Sequence, residues 1–138
     1  MGQRIREIMT SNPSSIEPSS PIAEAARIMK QEDAGVVPVT ENGRLSGMVT
    51  DRDIAIRVVA EGKDPQSTTV REVASTDLVT VDPEQDLDEA LRLMAQHQVR
   101  RLPVVEEDGR LVGVLAQADI AREGDDKQTG QVVQEISE

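Results

Sequence analysis

The chain contains no phenylalanine, tryptophan, tyrosine or cysteine, and only one histidine among its 138 residues. Without aromatic rings it has no platform on which the bases of a nucleic acid could stack. Without cysteine it has no disulfide, no thiolate nucleophile and no zinc site of the usual sulfur type. A hydrophobic core must therefore be built from valine, isoleucine, leucine, methionine and alanine.

Basic residues are also few, because 15 lysines and arginines stand against 26 acidic residues and give a formal net charge of -11. This charge repels phosphate backbones and anionic membrane surfaces, so we expect neither a nucleic acid nor a membrane as a partner. The chain has no apolar run of about 18 residues and no signal-like N-terminus. These features favour a cytoplasmic location.

The residues that usually carry catalysis are equally sparse. His97 is the only histidine and lies near the polar end of a predicted helix, so it is expected to be a surface residue. No second histidine and no cysteine supports a nucleophile or a metal site. Asp51 and Asp53 alone are too little for a catalytic carboxylate pair or a magnesium site. We therefore predict no catalytic residue, no metal ligand and no required cofactor.

An internal repeat with a spacing of about 65 residues organises the chain, and segments repeated at a fixed spacing usually fold alike. The motif IREIMTS from Ile5 returns as VREVAST from Val70, and VVPVTENGRLSGMVTDRDIA from Val36 returns as RLPVVEEDGRLVGVLAQADIA from Arg101. Each copy predicts a strand, a helix with apolar residues at three- and four-residue spacing, a hairpin and a second helix. The hairpins turn at Asn-Gly and Asp-Gly pairs, which accept positive φ.

These elements predict an α/β (α+β) fold made of two pseudo-symmetric β-α-β-β-α repeats. Half of the chain would be marginally stable alone because it buries little surface, so the two repeats are expected to pack sheet to sheet. We place the first repeat, with an N-terminal helix and a connector, at residues 1–69 and the second at residues 70–124. Residues 125–138 form a C-terminal tail with a possible short helix.

The segment GMVTDRDI, residues 47–54, allows two interpretations of its polar residues. Thr50 and Asp53 have nearly the spacing and chemistry of a capping box at a helix start, which requires no ligand. A carboxylate in this place can also accept hydrogen bonds from both hydroxyls of a ribose. The residues alone leave both interpretations open.

Two adjacent cations in the second copy point to an anion. Arg100 and Arg101 replace Gly35 and Val36 of the first copy, and the planar fork of an arginine side chain matches a phosphate group. The alternative is an ion pair within the protein. Its candidate partners are Glu106, Glu107 and a helix carboxylate.

The motifs DAGVVPV and QVRRLPV, the turns NGRLSG and DGRLVG, and G-x-x-T-x-x-D at Gly47, Thr50 and Asp53 resemble those of tandem CBS-domain pairs, or Bateman modules. The resemblance covers nearly the whole chain and is strongest to stand-alone bacterial pairs, including those of the hypoxic-response and dormancy type. It implies an adenosine-containing ligand in a cleft between the repeats and a disc-like homodimer.

The resemblance also implies roles for individual residues. Asp53 would bind the ribose, Thr50 a phosphate or ribose oxygen, and Arg100 and Arg101 the phosphate. Aliphatic residues would line the base pocket, namely Met48, Leu78, Val79, Val99 and Pro103. A mirror-related site would use Asp119, Ala116, Gly35 and Val36. Because this second site lacks a hydroxyl and both cations, we expect it to be empty, weak or specific for an uncharged nucleoside.

The implied function is that of a regulatory sensor without catalysis, which binds an adenine nucleotide and acts on an effector protein that the sequence does not identify. AMP is the first candidate, and ADP and ATP are further ones. One alternative is a ligand-independent stress or interaction protein. Another is binding of S-adenosylmethionine or NADH, although the paired arginines favour a phosphate-bearing ligand over S-adenosylmethionine.

Overall fold

A computed structural model describes residues 2–127 of the chain, and for residues 123–127 it describes the backbone alone. The chain divides into two compact units. The first, called the repeat-1 unit, is Ser14–Leu78; the second, called the repeat-2 unit, combines Met1–Pro13 with Val79–Glu138. Helices and small antiparallel sheets build both units, which confirms the predicted mixed α/β fold class.

The elements alternate along the chain as the repeat requires. In order they are α1 (Ile5–Ile8), β1 (Thr10–Ser11), α2 (Ile22–Glu32), β2 (Val36–Glu41), β3 (Arg44–Thr50), α3 (Asp51–Ile54), a π-helical turn (Ala55–Val59), α4 (Val70–Val73), α5 (Leu87–His97), β4 (Arg101–Val105), β5 (Leu111–Ala116) and α6 (Gln117–Lys127). No helix in the described part of the chain is long and apolar enough to cross a membrane.

The repeat-1 unit packs helix α2 against the β2–β3 hairpin. Ile22, Ala25 and Met29 share one face of α2 and are buried in a core that also contains Val39 of β2. The hairpin turns at Asn42–Gly43, where φ is 55° and 82°. Asparagine and glycine reach these left-handed angles more easily than other residues, so the turn confirms the prediction made from this pair.

The repeat-2 unit has a three-stranded sheet with the order β1-β5-β4. Ala90 and Met94 of α5 are buried together with Leu102 of β4 and Leu115 of β5. Ile5 of the N-terminal helix lies in the same core and is fully buried. The aliphatic core expected from the composition is therefore present in this unit, and the N-terminal segment is part of it.

The compact units do not follow the boundaries of the sequence repeats. The first segment of the first repeat lies in the repeat-2 unit, where Thr10 of β1 pairs with Val114 of β5. The matching first segment of the second repeat lies in the repeat-1 unit, where Ser75 bridges Met48 of β3. The predicted boundary at residue 69 marks the sequence repeat, whereas each folded unit contains the first segment of the other copy, called here its borrowed segment.

Glycines occupy the two places where the borrowed segments cross a strand. A Cβ added to Gly47 would lie 3.0 Å from the Ser75 carbonyl oxygen. A Cβ added to Gly113 would lie 2.9 Å from the Thr10 carbonyl oxygen and 2.5 Å from Met9 Sδ. The first glycine of G-x-x-T-x-x-D is therefore explained by close approach of another backbone, without any ligand.

Some predicted elements differ from the structure. The strands expected to open each repeat are reduced to single parallel bridges at Ile16 and Val81. Helix α6 continues to Lys127, so the first residues of the predicted tail are helical. The rest of that tail, residues 128–138, lies outside the described residues.

Helix α4 begins with a capping interaction that gives a pH-dependent prediction. The backbone N–H and the hydroxyl of Thr69 both donate to Glu72 Oε2, at 2.9 and 3.0 Å, and these bonds lower the pKa of Glu72. A carboxylate whose folded pKa is depressed stabilises the fold above its unfolded pKa, and this contribution is lost as the pH falls through the folded pKa. We expect Glu72→Gln to lower the thermal unfolding midpoint at about pH 7 and to lower it progressively less as the pH falls below about 4, the usual range of a glutamate pKa. An equal loss across this range would contradict the assignment.

Candidate functional site

Thr50 and Asp53 form a complete capping box at the start of α3. The Asp53 backbone N–H donates to Thr50 Oγ1 at 3.0 Å, and the Thr50 backbone N–H donates to Asp53 Oδ2 at 3.0 Å. Thr50 has extended backbone angles, as an N-cap residue should. The capping interpretation of this motif is therefore confirmed by the geometry.

The cap uses only part of the Asp53 carboxylate. Oδ2 accepts the Thr50 N–H, and within the described residues no hydrogen bond or ion pair reaches Oδ1. Asp53 is half-buried, so its side chain does not lie inside the hydrophobic core. An ionised carboxylate has acceptor capacity on both oxygens, and Asp53 can thus cap the helix and still accept a hydrogen bond from a ligand.

The end of the β2–β3 hairpin gathers further predicted residues around this cap. Val36 pairs with Thr50 in the strand ladder, and the Gly35 carbonyl accepts the Asp51 N–H at 2.9 Å. Met48 lies two residues before Thr50 on the same strand and is half-buried. Leu78, which belongs to the same unit, is also half-buried.

The corresponding strand end in the repeat-2 unit carries the two arginines. Arg101 pairs with Ala116 in the ladder, and the Arg100 carbonyl accepts the Gln117 N–H at 2.8 Å. Both arginine side chains are exposed, and neither forms an ion pair with any described residue. Among the described side chains the alternative of an internal salt bridge is not observed, and Glu106, one of its candidate partners, pairs with Arg110.

The remaining residues predicted for the base pocket also lie in the repeat-2 unit. Val79 and Val99 are half-buried and pack against its core. Pro103 is buried within β4, where its carbonyl accepts the Val81 N–H at 3.1 Å. Val79 and Val99 keep exposed surface that a ligand could contact, whereas Pro103 is mainly a core residue.

The mirror-related carboxylate, Asp119, differs from Asp53 in its surroundings. Oδ2 accepts the Ala116 N–H at 3.0 Å, as in the first repeat. Oδ1 accepts a hydrogen bond from the Arg122 guanidinium at 2.6 Å, and only 8% of the Asp119 side chain is exposed. Arg122 was not among the predicted site residues. The alignment of the two repeats could have indicated it, because its counterpart in the first copy is Ile56.

Other polar features of the described residues offer no competing site for a nucleotide. His97 is exposed at the end of α5, and no group of three or more His, Cys, Asp or Glu is placed to hold a metal ion within the described part of the chain. A surface cavity of about 420 Å³ in the repeat-2 unit is lined mainly by carboxylates, including Glu84 and Glu106. Arg6 is the one cation in a lining with five carboxylates, so the net charge of the lining is negative and disfavours an anion.

Comparison with known proteins assigns the fold and the repeated motifs to a family. The sequence model of the CBS domain matches residues 5–60 and again residues 70–126. The chain belongs to the CBS-domain family. It is 49% identical over 117 residues to the CBS domain-containing protein YhcV of Bacillus subtilis, across 85% of this chain and 82% of that protein. It is 41% identical over 118 residues to hypoxic response protein 1 of Mycobacterium tuberculosis, with the same coverage of 85% and 82%.

Solved structures of CBS proteins have the same fold. The crystal structure of Hypoxic Response Protein I with two coordinated zinc ions superposes with a TM-score of 0.80 at 40% identity, covering 87% of this chain and 98% of that one. The CBS domain pair of protein MJ0100, in complex with 5′-methylthioadenosine and S-adenosyl-L-methionine, gives a TM-score of 0.81 at 25% identity, covering 92% and 99%. These matches confirm the resemblance read from the repeated motifs.

Proposed function

We propose that this CBS pair is a regulatory module without catalysis and that its ligand is an adenine nucleotide, with AMP as the first candidate and ADP or ATP as further ones. The observation that carries the proposal is a pair of unsatisfied groups at matching strand ends of the two repeats. Asp53 keeps one carboxylate oxygen without a partner, and Arg100 and Arg101 are exposed cations without an ion pair in the described residues.

The chemistry of these groups matches the parts of a nucleotide. In the proposal, Asp53 accepts the ribose hydroxyls while Thr50 supplies a hydroxyl to the ribose or phosphate. Arg100 and Arg101 bind the phosphate, because guanidinium groups donate paired hydrogen bonds to phosphate oxygens. The adenine base is held by half-buried aliphatic residues, namely Met48, Leu78, Val79 and Val99, through dispersion and the burial of apolar area.

Two observations bear on related ligands. The solved pair of MJ0100 holds S-adenosylmethionine and methylthioadenosine, which supports an adenosine-containing ligand in this family. S-adenosylmethionine carries a sulfonium cation, so two adjacent arginines disfavour it here relative to AMP or NADH. NADH carries phosphates and remains the alternative nucleotide.

The complete capping box supports the second candidate function, a ligand-independent stress or interaction protein. Thr50 and Asp53 satisfy each other's backbone N–H groups without any ligand. Both candidate functions include a homodimer and an effector protein as partners. Ile56 and Val59 are apolar residues of the π-helical turn, and they are 46% and 72% exposed. Their exposure supports a protein partner at this turn.

Calorimetric titration of the purified protein with AMP, ADP, ATP, NADH and S-adenosylmethionine tests the proposal. We expect AMP to bind with a dissociation constant below about 1 mM, an affinity better than about 4 kcal/mol. S-adenosylmethionine is expected to bind more weakly than AMP. If none of the five binds below about 1 mM, the ligand-independent function replaces the sensor.

A further inference from the structure

The two matching carboxylates of the repeats are not equally available. Asp53 is half-buried, and its Oδ1 has no partner among the described residues. Asp119 is more deeply buried, and both of its oxygens are engaged, one by the Ala116 N–H and the other by the Arg122 guanidinium. A carboxylate that must accept ribose hydroxyls needs a free oxygen, which only Asp53 provides.

We propose that Arg122 closes the second repeat to ribose-containing ligands, so that the chain holds one nucleotide rather than two. This inference rests on the proposed function and adds the residue that sets the number of sites. In the first repeat the matching position is occupied by Ile56, whose side chain cannot donate a hydrogen bond. At this position the two repeats therefore differ by one cation, three residues after the carboxylate.

In this proposal a ribose must compete with the Arg122 guanidinium for Asp119 Oδ1. The guanidinium and the carboxylate are both charged, and such hydrogen bonds are about twice as strong as those between neutral groups. A ribose hydroxyl is neutral, so it would replace a charge-assisted bond with a weaker one. It would also leave the Asp119 carboxylate, 8% exposed, without its counter-ion.

Arg122 can be substituted without loss of core packing. Its side chain is 73% exposed, so a substitution there creates no cavity in the protein. Ala116 supplies no hydroxyl where the first repeat has Thr50, so an opened second site lacks one of the groups proposed to bind a phosphate. The ligand class for the opened site is therefore an uncharged nucleoside, with adenosine as the probe.

A reciprocal exchange of side chains tests the inference. Adenosine and AMP are titrated calorimetrically into wild type, Arg122→Ile and Ile56→Arg. We expect wild type to bind one equivalent of either ligand, and Arg122→Ile to bind two equivalents of adenosine. Ile56→Arg places a guanidinium three residues after Asp53 and is expected to weaken binding of AMP about tenfold.

A matched control separates this effect from the loss of any surface ion pair. Arg92 pairs with Glu89 at the same three-residue spacing on an exposed helix face of the same unit. Arg92→Ile is therefore expected to bind one equivalent of adenosine with wild-type affinity. If Arg122→Ile fails to fold, as judged by circular dichroism, Arg122→Met takes its place, because methionine has no N–H to donate to Asp119.

The outcomes distinguish the inference from the proposed function. Two equal sites in wild type, or one site in both wild type and a folded Arg122 variant, would overturn the role of Arg122 while leaving nucleotide binding intact. No binding in any of the proteins would overturn both. A second equivalent that appears only when Arg122 is replaced supports both.

Discussion

Replacing Arg100 and Arg101 together with glutamine is expected to weaken AMP binding at least about a hundredfold and to leave adenosine binding unchanged. Each arginine is proposed to donate a charge-assisted hydrogen bond to the phosphate, and such a bond contributes about 1.5 to 3 kcal/mol. Both side chains are exposed and form no ion pair among the described residues, so the substitutions remove no internal contact that holds the fold. Calorimetric titration with the two ligands gives the comparison.

The pair of ligands makes this test specific for the phosphate. Arg92→Gln, in the same unit but paired to Glu89, is the control for a general loss of positive charge and is expected to bind AMP as wild type does. An equal loss of affinity for AMP and adenosine would show that the arginines support the fold or the base pocket. If neither affinity changes, the phosphate is bound by other residues.

The local elements were predictable because their signals are local. The apolar positions of α2 and α5 follow the helical period, and both repeats contain the helix predicted from that spacing, at Ile22–Glu32 and Leu87–His97. The Asn42–Gly43 pair fixed the first hairpin, since the turn requires positive φ. The repeat itself gave the family, because two copies of the same motifs in the same order are far more specific than any one motif.

The arrangement of the borrowed segments was not predictable from these signals. Periodicity shows that Ile5 and Val70 begin similar helices, but both helices have an apolar residue to bury and either core could accept it. In either arrangement, the strand that receives a borrowed segment needs room beside its backbone. Gly47 and Gly113 provide that room, and their role is visible only when the crossing segments are in place.

The sequence indicated the residue types of the candidate site, but it did not indicate which of their polar atoms already have hydrogen-bond partners. The spacing of Thr50 and Asp53 allowed a cap or a ligand, and the structure contains the cap while leaving one oxygen of Asp53 without a partner. The inequality between Asp53 and Asp119 depends on Arg122, which lies outside the motif. Arg122 can bind Asp119 only because the helix places the two side chains close together. The motif does not include Arg122, so the motif alone could not predict this contact.

Replacing Asp53 with alanine is expected to weaken AMP binding about a hundredfold, because a charged acceptor for both ribose hydroxyls is lost. The same change breaks the capping box of α3, so a loss of stability is expected as well. Binding and stability must therefore be measured on the same variant, by calorimetric titration and by thermal unfolding.

Glu72 provides the matched control for the structural part of this effect. It caps α4 in the same unit through the Thr69 N–H, as Asp53 caps α3 through the Thr50 N–H. Glu72→Ala is thus expected to lower the unfolding midpoint while AMP binds with wild-type affinity. Asp53→Asn retains an oxygen for the Thr50 N–H and is expected to keep most of the stability while losing affinity.

These three variants separate the two roles of Asp53. If Asp53→Ala and Glu72→Ala lose stability alike and neither loses affinity for AMP, then Asp53 is a capping residue only and the ribose is bound elsewhere. If only the Asp53 variants lose affinity, the carboxylate has both roles at once. A capping box that leaves one acceptor oxygen without a partner among the described residues holds that oxygen in a fixed place, so in the proposed function the same cap positions Asp53 for a ribose.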